Sequence, residues 1–231
     1  MDLAKIRLDS VSLTYEAFKL VRFSMLRKVR HQALREISME VYEGETIAVM
    51  GNNGAGKSTL LKFLAGKIRP SSGRAYIRGR IIHLSGVNPG FDTSLTPRQN
   101  IQWLAPIYGK DILGTNQYVE EFSDIGEAYD RPIKTLSAGM RGRVGFGFAT
   151  SLDPDILLID EVLGVGDPKF KAKAMMRLKE MISRSGIVLM STHSVGLVKE
   201  LASRCIILDE GEITHDGDVQ IGIDLYAGGR C

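Results

Sequence analysis

The stretch TIAVMGNNGAGKSTLLKFLAGK, Thr46–Lys67, joins three patterns in one run. TIAVM is short and continuously apolar, as a strand buried on both faces must be. GNNGAGKS, Gly51–Ser58, has the spacing G-x-x-x-x-G-K-[ST], and the apolar residues of TLLKFLAGK recur at helical intervals. Strand, glycine-rich loop and helix in that order make a phosphate-binding loop. Glycines let the backbone wrap an anion with its N–H groups pointing inward, and the helix that begins near Lys57 offers its positive end to the same point. Gly51, Asn52, Asn53, Gly54, Ala55, Gly56 and Thr59 are therefore candidate nucleotide-binding positions. In such a loop Lys57 reaches the β- and γ-phosphates and Ser58 ligates Mg²⁺.

Working outward, buried-type runs recur at DILLID (Asp155–Asp160), GIVLMST (Gly186–Thr192) and CIILDEG (Cys205–Gly211). Helical patterns such as KFKAKAMMRLKEMISRSG (Lys169–Gly186) lie between them. This alternation predicts an α/β fold with a mostly parallel sheet. IRLDSVSLTY (Ile6–Tyr15) and ISMEVYEG (Ile37–Gly44) instead alternate apolar with polar residues and predict antiparallel strands. Residues from about 87 to 150 lack strand patterns and read as a helical subdomain. The expected organisation is one domain over residues 1–231, with about 1–86 and 151–231 supplying the antiparallel β subdomain and the sheet core.

Composition bounds the function. At 44% hydrophobic residues the chain can fill a core, and its net charge of +3 does not by itself point to nucleic acid. No apolar run approaches the roughly 20 residues of a membrane-spanning helix. The N-terminus MDLAKIRLDS has no secretory pattern. Two cysteines, Cys205 and Cys231, form neither a metal-ligand spacing nor a disulfide framework, which suits a reducing, cytoplasmic location.

Asp160 and Glu161 close the DILLIDE run. An acidic pair at the end of a buried strand is costly unless a cation or a reacting water is near. Asp160 is accordingly the candidate to hold Mg²⁺ through water, and Glu161 to orient, or take a proton from, the water attacking a γ-phosphate. TLSAGMRGR (Thr135–Arg143) places a serine and a glycine at a helix start, another arrangement of donors for phosphate. Here the chain resembles the ATPases of ABC transporters, whose signature is LSGGQ; Ala138 stands for the second glycine and Met140 for the glutamine. The resemblance implies that Ser137, Ala138, Gly139 and Met140 bind ATP held by the opposite copy of a homodimer. It further implies that Asp167 lies at the dimer seam and that His193, in LMSTHS, senses the γ-phosphate. An aromatic residue before the phosphate loop is expected to stack on adenine, with Tyr15 and His31 as alternatives. The motifs fall in the family's order over about residues 44–194.

GFDTSLTPRQN (Gly90–Asn100) stands where the family usually has a Q-loop glutamine. It resembles the F-x-x-x-L-T-G-x-x-N stretch of ATPase subunits that export capsular polysaccharide, O-antigen or teichoic acid, with Pro97 at the glycine position. LIDEVLGVGDPKF and SAGM resemble the same subfamily. The implied function is ATP-driven export of a lipid-linked polysaccharide at the cytoplasmic face of the membrane, through a separate permease that residues 86–100 would contact. No appended carbohydrate-binding domain and no nucleic-acid partner are expected. The segment EAFKLVRFSMLRKVRHQ (Glu16–Gln32) has Phe18, Val21, Met25 and Val29 at helical spacings among basic residues. It is expected to form an amphipathic helical element, residues 16–31 lying near the glycolipid. Other transporter ATPases and soluble ABC ATPases are the alternatives. A P-loop kinase or GTPase is disfavoured by the signature and His193.

Overall fold

The structure, a computed structural model, describes residues 3–21, 25–85, 89–160 and 167–229, the side chains of 17–21, 25–28 and 85 excepted. Two long strands, β1 (Ile6–Val21) and β2 (Met25–Val41), pair antiparallel. Then β3 (Thr46–Met50) leads through the glycine-rich loop into α1 (Lys57–Leu64), followed by β4 (Ser72–Ile77) and β5 (Ile81–Ser85). Helices α2 (Pro97–Ile107), α3 (Ile112–Ser123) and α4 (Ala138–Thr150) come next, with 3-10 turns at Gly126–Asp130 and Ile133–Thr135. The chain continues through β6 (Ile156–Asp160), α5 (Pro168–Arg184), β7 (Ile187–Ser191) and α6 (Val195–Leu201). It ends with β8 (Arg204–Asp209), β9 (Glu212–Gly217) and α7 (Val219–Ala227).

The strands form a six-stranded sheet, ordered β5-β6-β7-β3-β8-β9, and a three-stranded sheet, β2-β1-β4. All neighbours in the larger sheet are parallel except β8 and β9. Period-2 alternation explains why its central strands are apolar throughout. In β3, Ala48 and Met50 face a core shared with the helices, while Ile47 and Val49 face a second core under α1 and the smaller sheet. Leu157 with Ile159 and Ile156 with Leu158 divide in the same way on β6. Helix α1 thus lies between the two sheets, with Leu60, Leu61 and Leu64 buried. Because β3, β6 and β7 are parallel, their carboxyl ends open on one edge, where ligands of such sheets bind.

The structure overturns the helical reading of residues 16–31. The ladder begun by Ile6↔Val41 continues through Glu16↔Arg30, Phe18↔Lys28 and Val21↔Met25. Each added rung closes on a hairpin that the core already anchors, whereas a helix in the same place would need its own costly nucleus. The spacing of Phe18, Val21, Met25 and Val29 was compatible with both, and β-branched Val21 and Val29 suit the strand. Register slips between Leu8 and Thr14, and Ser10 and Glu36 take positive φ (47° each). The hydroxyl oxygens of Ser38 and Ser12 accept the N–H groups of Ser10 and Glu36 (2.9 and 3.0 Å) at these slips.

Candidate functional site

The loop between β3 and α1 folds as its glycines require. Gly51, Gly54 and Gly56 have φ of 143°, 88° and 108°, a region other residues rarely enter. A Cβ at Gly51 would lie 2.1 Å from the Leu208 carbonyl oxygen, and one at Gly56 would lie 2.6 Å from that of Ala33. These two glycines therefore also let the loop sit against β8 and β2. Lys57 is buried, and its ammonium donates to the Gly51 and Asn52 carbonyls (2.7 and 2.8 Å), spanning the loop it belongs to. Ala55 N–H donates to the Asn52 carbonyl (3.2 Å), completing the turn.

A cleft of about 250 Å³ opens over this loop, lined by Asn53, Gly54, Gly56, Lys57, Ser58 and Thr59. Tyr15 and His31 line its far wall together with Ala33. These two are directly opposed residues of the β1–β2 ladder, so the structure puts both candidates for base stacking on one face. Ser191 and His193, at and beyond the end of β7, close the remaining side. At the base, the Ser58 hydroxyl donates to Asp160 Oδ1 at the end of β6 (2.9 Å).

The donors suit the groups that the sequence implies. Ser58 and Asp160 offer hard oxygen ligands side by side, the chemistry that Mg²⁺ prefers. Among the described residues no three His, Cys, Asp or Glu groups gather to cage a metal, so phosphate and water oxygens would complete the shell. The Lys57 ammonium and the N-terminus of α1 stand together beside the cleft, a combination of positive potential suited to phosphates.

The signature residues are not in this cleft. Ser137 caps α4, its hydroxyl oxygen accepting Met140 N–H (3.2 Å), and its O–H hydrogen remains a donor. Ser137, Ala138 and Met140 are exposed and Gly139 is half-buried, so the turn faces outward. Asp167 caps α5 by accepting Phe170 N–H (2.9 Å), and Arg143 of α4 pairs with the same carboxylate. The Phe170 N–H and then the Arg143 charge hold that carboxyl below the usual carboxylate range. Glu161, with the rest of the 161–166 segment, lies outside the described residues, as do Gly86, Val87 and Asn88.

The stretch 89–100 is built on Asn100, which is 3% exposed. Its side-chain oxygen accepts Asp92 N–H (2.7 Å), and its amide donates to the Asp92 and Thr96 carbonyls (2.9 and 3.0 Å). Thr96 caps α2 in a reciprocal box with Gln99. Pro97 falls on the first helical residues, where a missing N–H costs nothing, which explains how proline replaces glycine there. Sequence reasoning missed two contacts of the site: the Arg143–Asp167 pair, and Tyr226 of α7 against His193 Nδ1 (2.8 Å). Tyr226 stands in the C-terminal helix, 33 positions from its partner, and no spacing rule connects them.

The family model described as "ABC transporter" matches residues 34–164. The chain is 39% identical to the ABC transporter protein AbcA of Aeromonas salmonicida, over 84% of this chain and 64% of that protein, so it spans under two thirds of that relative. It is 38% identical to the polysialic acid transport ATP-binding protein KpsT of Escherichia coli, covering 85% of this chain and 89% of KpsT. With the O-antigen export system ATP-binding protein RfbB of Klebsiella pneumoniae the identity is 35%, over 88% and 84% of the two chains. The dimeric ATP-binding cassette MJ0796, solved in a post-hydrolysis state with ADP and Pi, superposes with a TM-score of 0.71 at 22% identity, over 93% of this chain and 98% of that one. That likeness concerns the fold, which is the α/β cassette with antiparallel and helical parts that the motifs led us to expect. On the family match and the identities together, this chain is a member of the ABC transporter ATPase family.

Proposed function

We propose that this chain is the ATP-hydrolysing subunit of an exporter for a lipid-linked polysaccharide of the O-antigen, capsule or teichoic acid type. It works as a homodimer under a separate permease at the cytoplasmic face of the membrane. The observation that carries the catalytic part is the convergence of Lys57, the Ser58–Asp160 pair and His193 on one cleft at the carboxyl ends of β3, β6 and β7. The export part is supported by relatives named for polysialic acid and O-antigen transport, matched over most of their length. Among the described residues no helix is long and apolar enough to cross a membrane, so crossing is assigned to a partner.

The roles follow from chemistry. Residues 51–59 bind the phosphates of ATP through backbone N–H groups and Lys57, while Tyr15 and His31 form the wall for the base. Mg²⁺ held by Ser58 and Asp160 would neutralise charge on the β- and γ-oxygens. Glu161 orients and deprotonates the attacking water, and His193 donates a hydrogen bond to the γ-phosphate. The Ser137–Met140 turn reaches the nucleotide of the second copy, which accounts for a helix start with a serine donor that is exposed and does not line its own cleft. Closure of the two copies then passes through the 86–100 stretch to the permease as a population shift.

The test is purification of the tagged chain from gently solubilised membranes of its native cell, with identification of what accompanies it. A polytopic permease encoded beside glycosyltransferases is the expected companion. Recovery only as a soluble protein with nucleic acid or ribosomes would overturn the export reading and leave the ATPase assignment standing.

A further inference from the structure

His193 needs an anchor. It sits in the short connection between β7 and α6, with its side chain exposed at the edge of the phosphate cleft. Its backbone is ordered by Ser194, which caps α6 and whose N–H donates to the Thr192 hydroxyl oxygen (3.1 Å). A group that contacts a reacting phosphate must hold one orientation.

Helix α7 provides a rigid support. Asp218 caps it through Ile221 N–H (2.9 Å), and Ile223 is buried in the helical core. A Cβ at Gly222 would lie 2.5 Å from Cys205 Sγ, so the helix sits as close to β8 as a bare backbone allows. One turn further on, Tyr226 packs partly buried against the same core, its phenol oxygen 2.8 Å from His193 Nδ1 and the two rings 6.3 Å apart.

We infer that Tyr226 is a positioning residue for His193: its phenol donates to Nδ1, holding the imidazole as the neutral tautomer with hydrogen on Nε2, the donor directed to the γ-phosphate. The direction of the bond follows from acidity. A phenol O–H is a strong neutral donor and an imidazole nitrogen a strong neutral acceptor, so O–H···N is the better of the two pairings. The partner of one ring nitrogen sets the proton on the other. With Nδ1 occupied by a donor, Nε2 carries the hydrogen, and a phosphate oxygen, which can only accept, is served correctly. The inference rests on the proposed role of His193 in hydrolysis. It adds that the C-terminal helix, through one hydroxyl, sets the state of that residue.

The test uses the full chain. Nitrogen-15 NMR of the imidazoles reports the tautomer directly, and only four histidines need assigning. Wild type is expected to show His193 with hydrogen on Nε2. Tyr226→Phe keeps the ring and its packing; it is expected to leave the melting temperature unchanged, return His193 to a tautomer mixture, and lower kcat about tenfold with little change in KM for ATP, the scale of one lost hydrogen bond. Hydrogen on Nδ1 in wild type, or Tyr226→Phe with unaltered spectrum and turnover, overturns the inference. His193→Ala separates it from the reading beneath. If His193→Ala abolishes turnover while Tyr226→Phe has no effect, Tyr226 alone is misassigned; if His193→Ala hydrolyses ATP at the wild-type rate, the role of His193 itself falls.

Discussion

Ser58 and Asp160 lie far apart in sequence, yet meet at hydrogen-bond distance because a loop and a strand end open on one sheet edge. If they hold Mg²⁺, Ser58→Ala removes one hard ligand while sparing the backbone cradle. Turnover at saturating ATP is expected to fall about 10²-fold, the loss typical of a single preorganised group at the reacting charge. The Mg²⁺ concentration for half-maximal rate should rise, while nucleotide affinity measured in chelator stays as in wild type; an unchanged Mg²⁺ requirement would contradict the assignment. A second residue, His83 on β5, reports on stability. Burial, aided by the charges of Lys67 and Lys62, pushes its imidazole down to about 4. The unfolded chain therefore takes up a proton near pH 6.5 that the folded chain refuses until about pH 4. Stability is full above pH 6.5 and falls as pH drops through that window, by up to about 1.4 kcal/mol per pH unit from this group. Glutamine does not titrate, so His83→Gln is expected to flatten the melting temperature against pH between 6.5 and 4; parallel curves would sink the attribution.

At the scale of elements, Asn100 ties the 89–96 loop to α2 with three side-chain hydrogen bonds. Asn100→Ala leaves a buried N–H and two carbonyls without those partners and should cost about 2–3 kcal/mol. A fall in melting temperature of roughly 4–12 °C would register it, and a change under a degree would show that the loop does not depend on this side chain. Here too the limits of sequence reading are visible. The strands at 46–50, 156–160, 187–191 and 204–209 were legible because residues buried on both faces must be apolar without a break. The distal hairpin was not, because Phe18, Val21, Met25 and Val29 satisfy a helical period by chance, and pairing of β1 with β2 is a non-local decision. In the cleft, contiguous motifs announced Lys57, Ser58 and Asp160. Tyr15 and His31 were foreseen as alternatives and face each other across a ladder, a relation that only register can show. Tyr226 was invisible, since its contact depends on how closely Gly222 lets α7 approach β8.

For the whole molecule the proposed function divides ATP recognition in two. The cleft over α1 brings Lys57 and Ser58 together with Tyr15 and His31, while the Ser137–Met140 turn stands exposed at the start of α4. Arg143 joins α4 to the N-cap of α5 through Asp167. Under the proposed function, two such halves complete one site only when a second copy turns its α4 start onto the first copy's cleft. That composite site is the central claim of the proposed function, in which dimer closure converts nucleotide binding into motion at a permease. The most direct measurement is the mass in solution of Glu161→Gln with Mg²⁺ and ATP, by sedimentation velocity, beside the same protein with ADP. The expected result is a dimer with ATP, a monomer with ADP, and a monomer again in ATP when Ser137→Arg is added to block the turn. A Glu161→Gln chain that binds ATP and stays monomeric, or a dimer indifferent to Ser137→Arg, would contradict it.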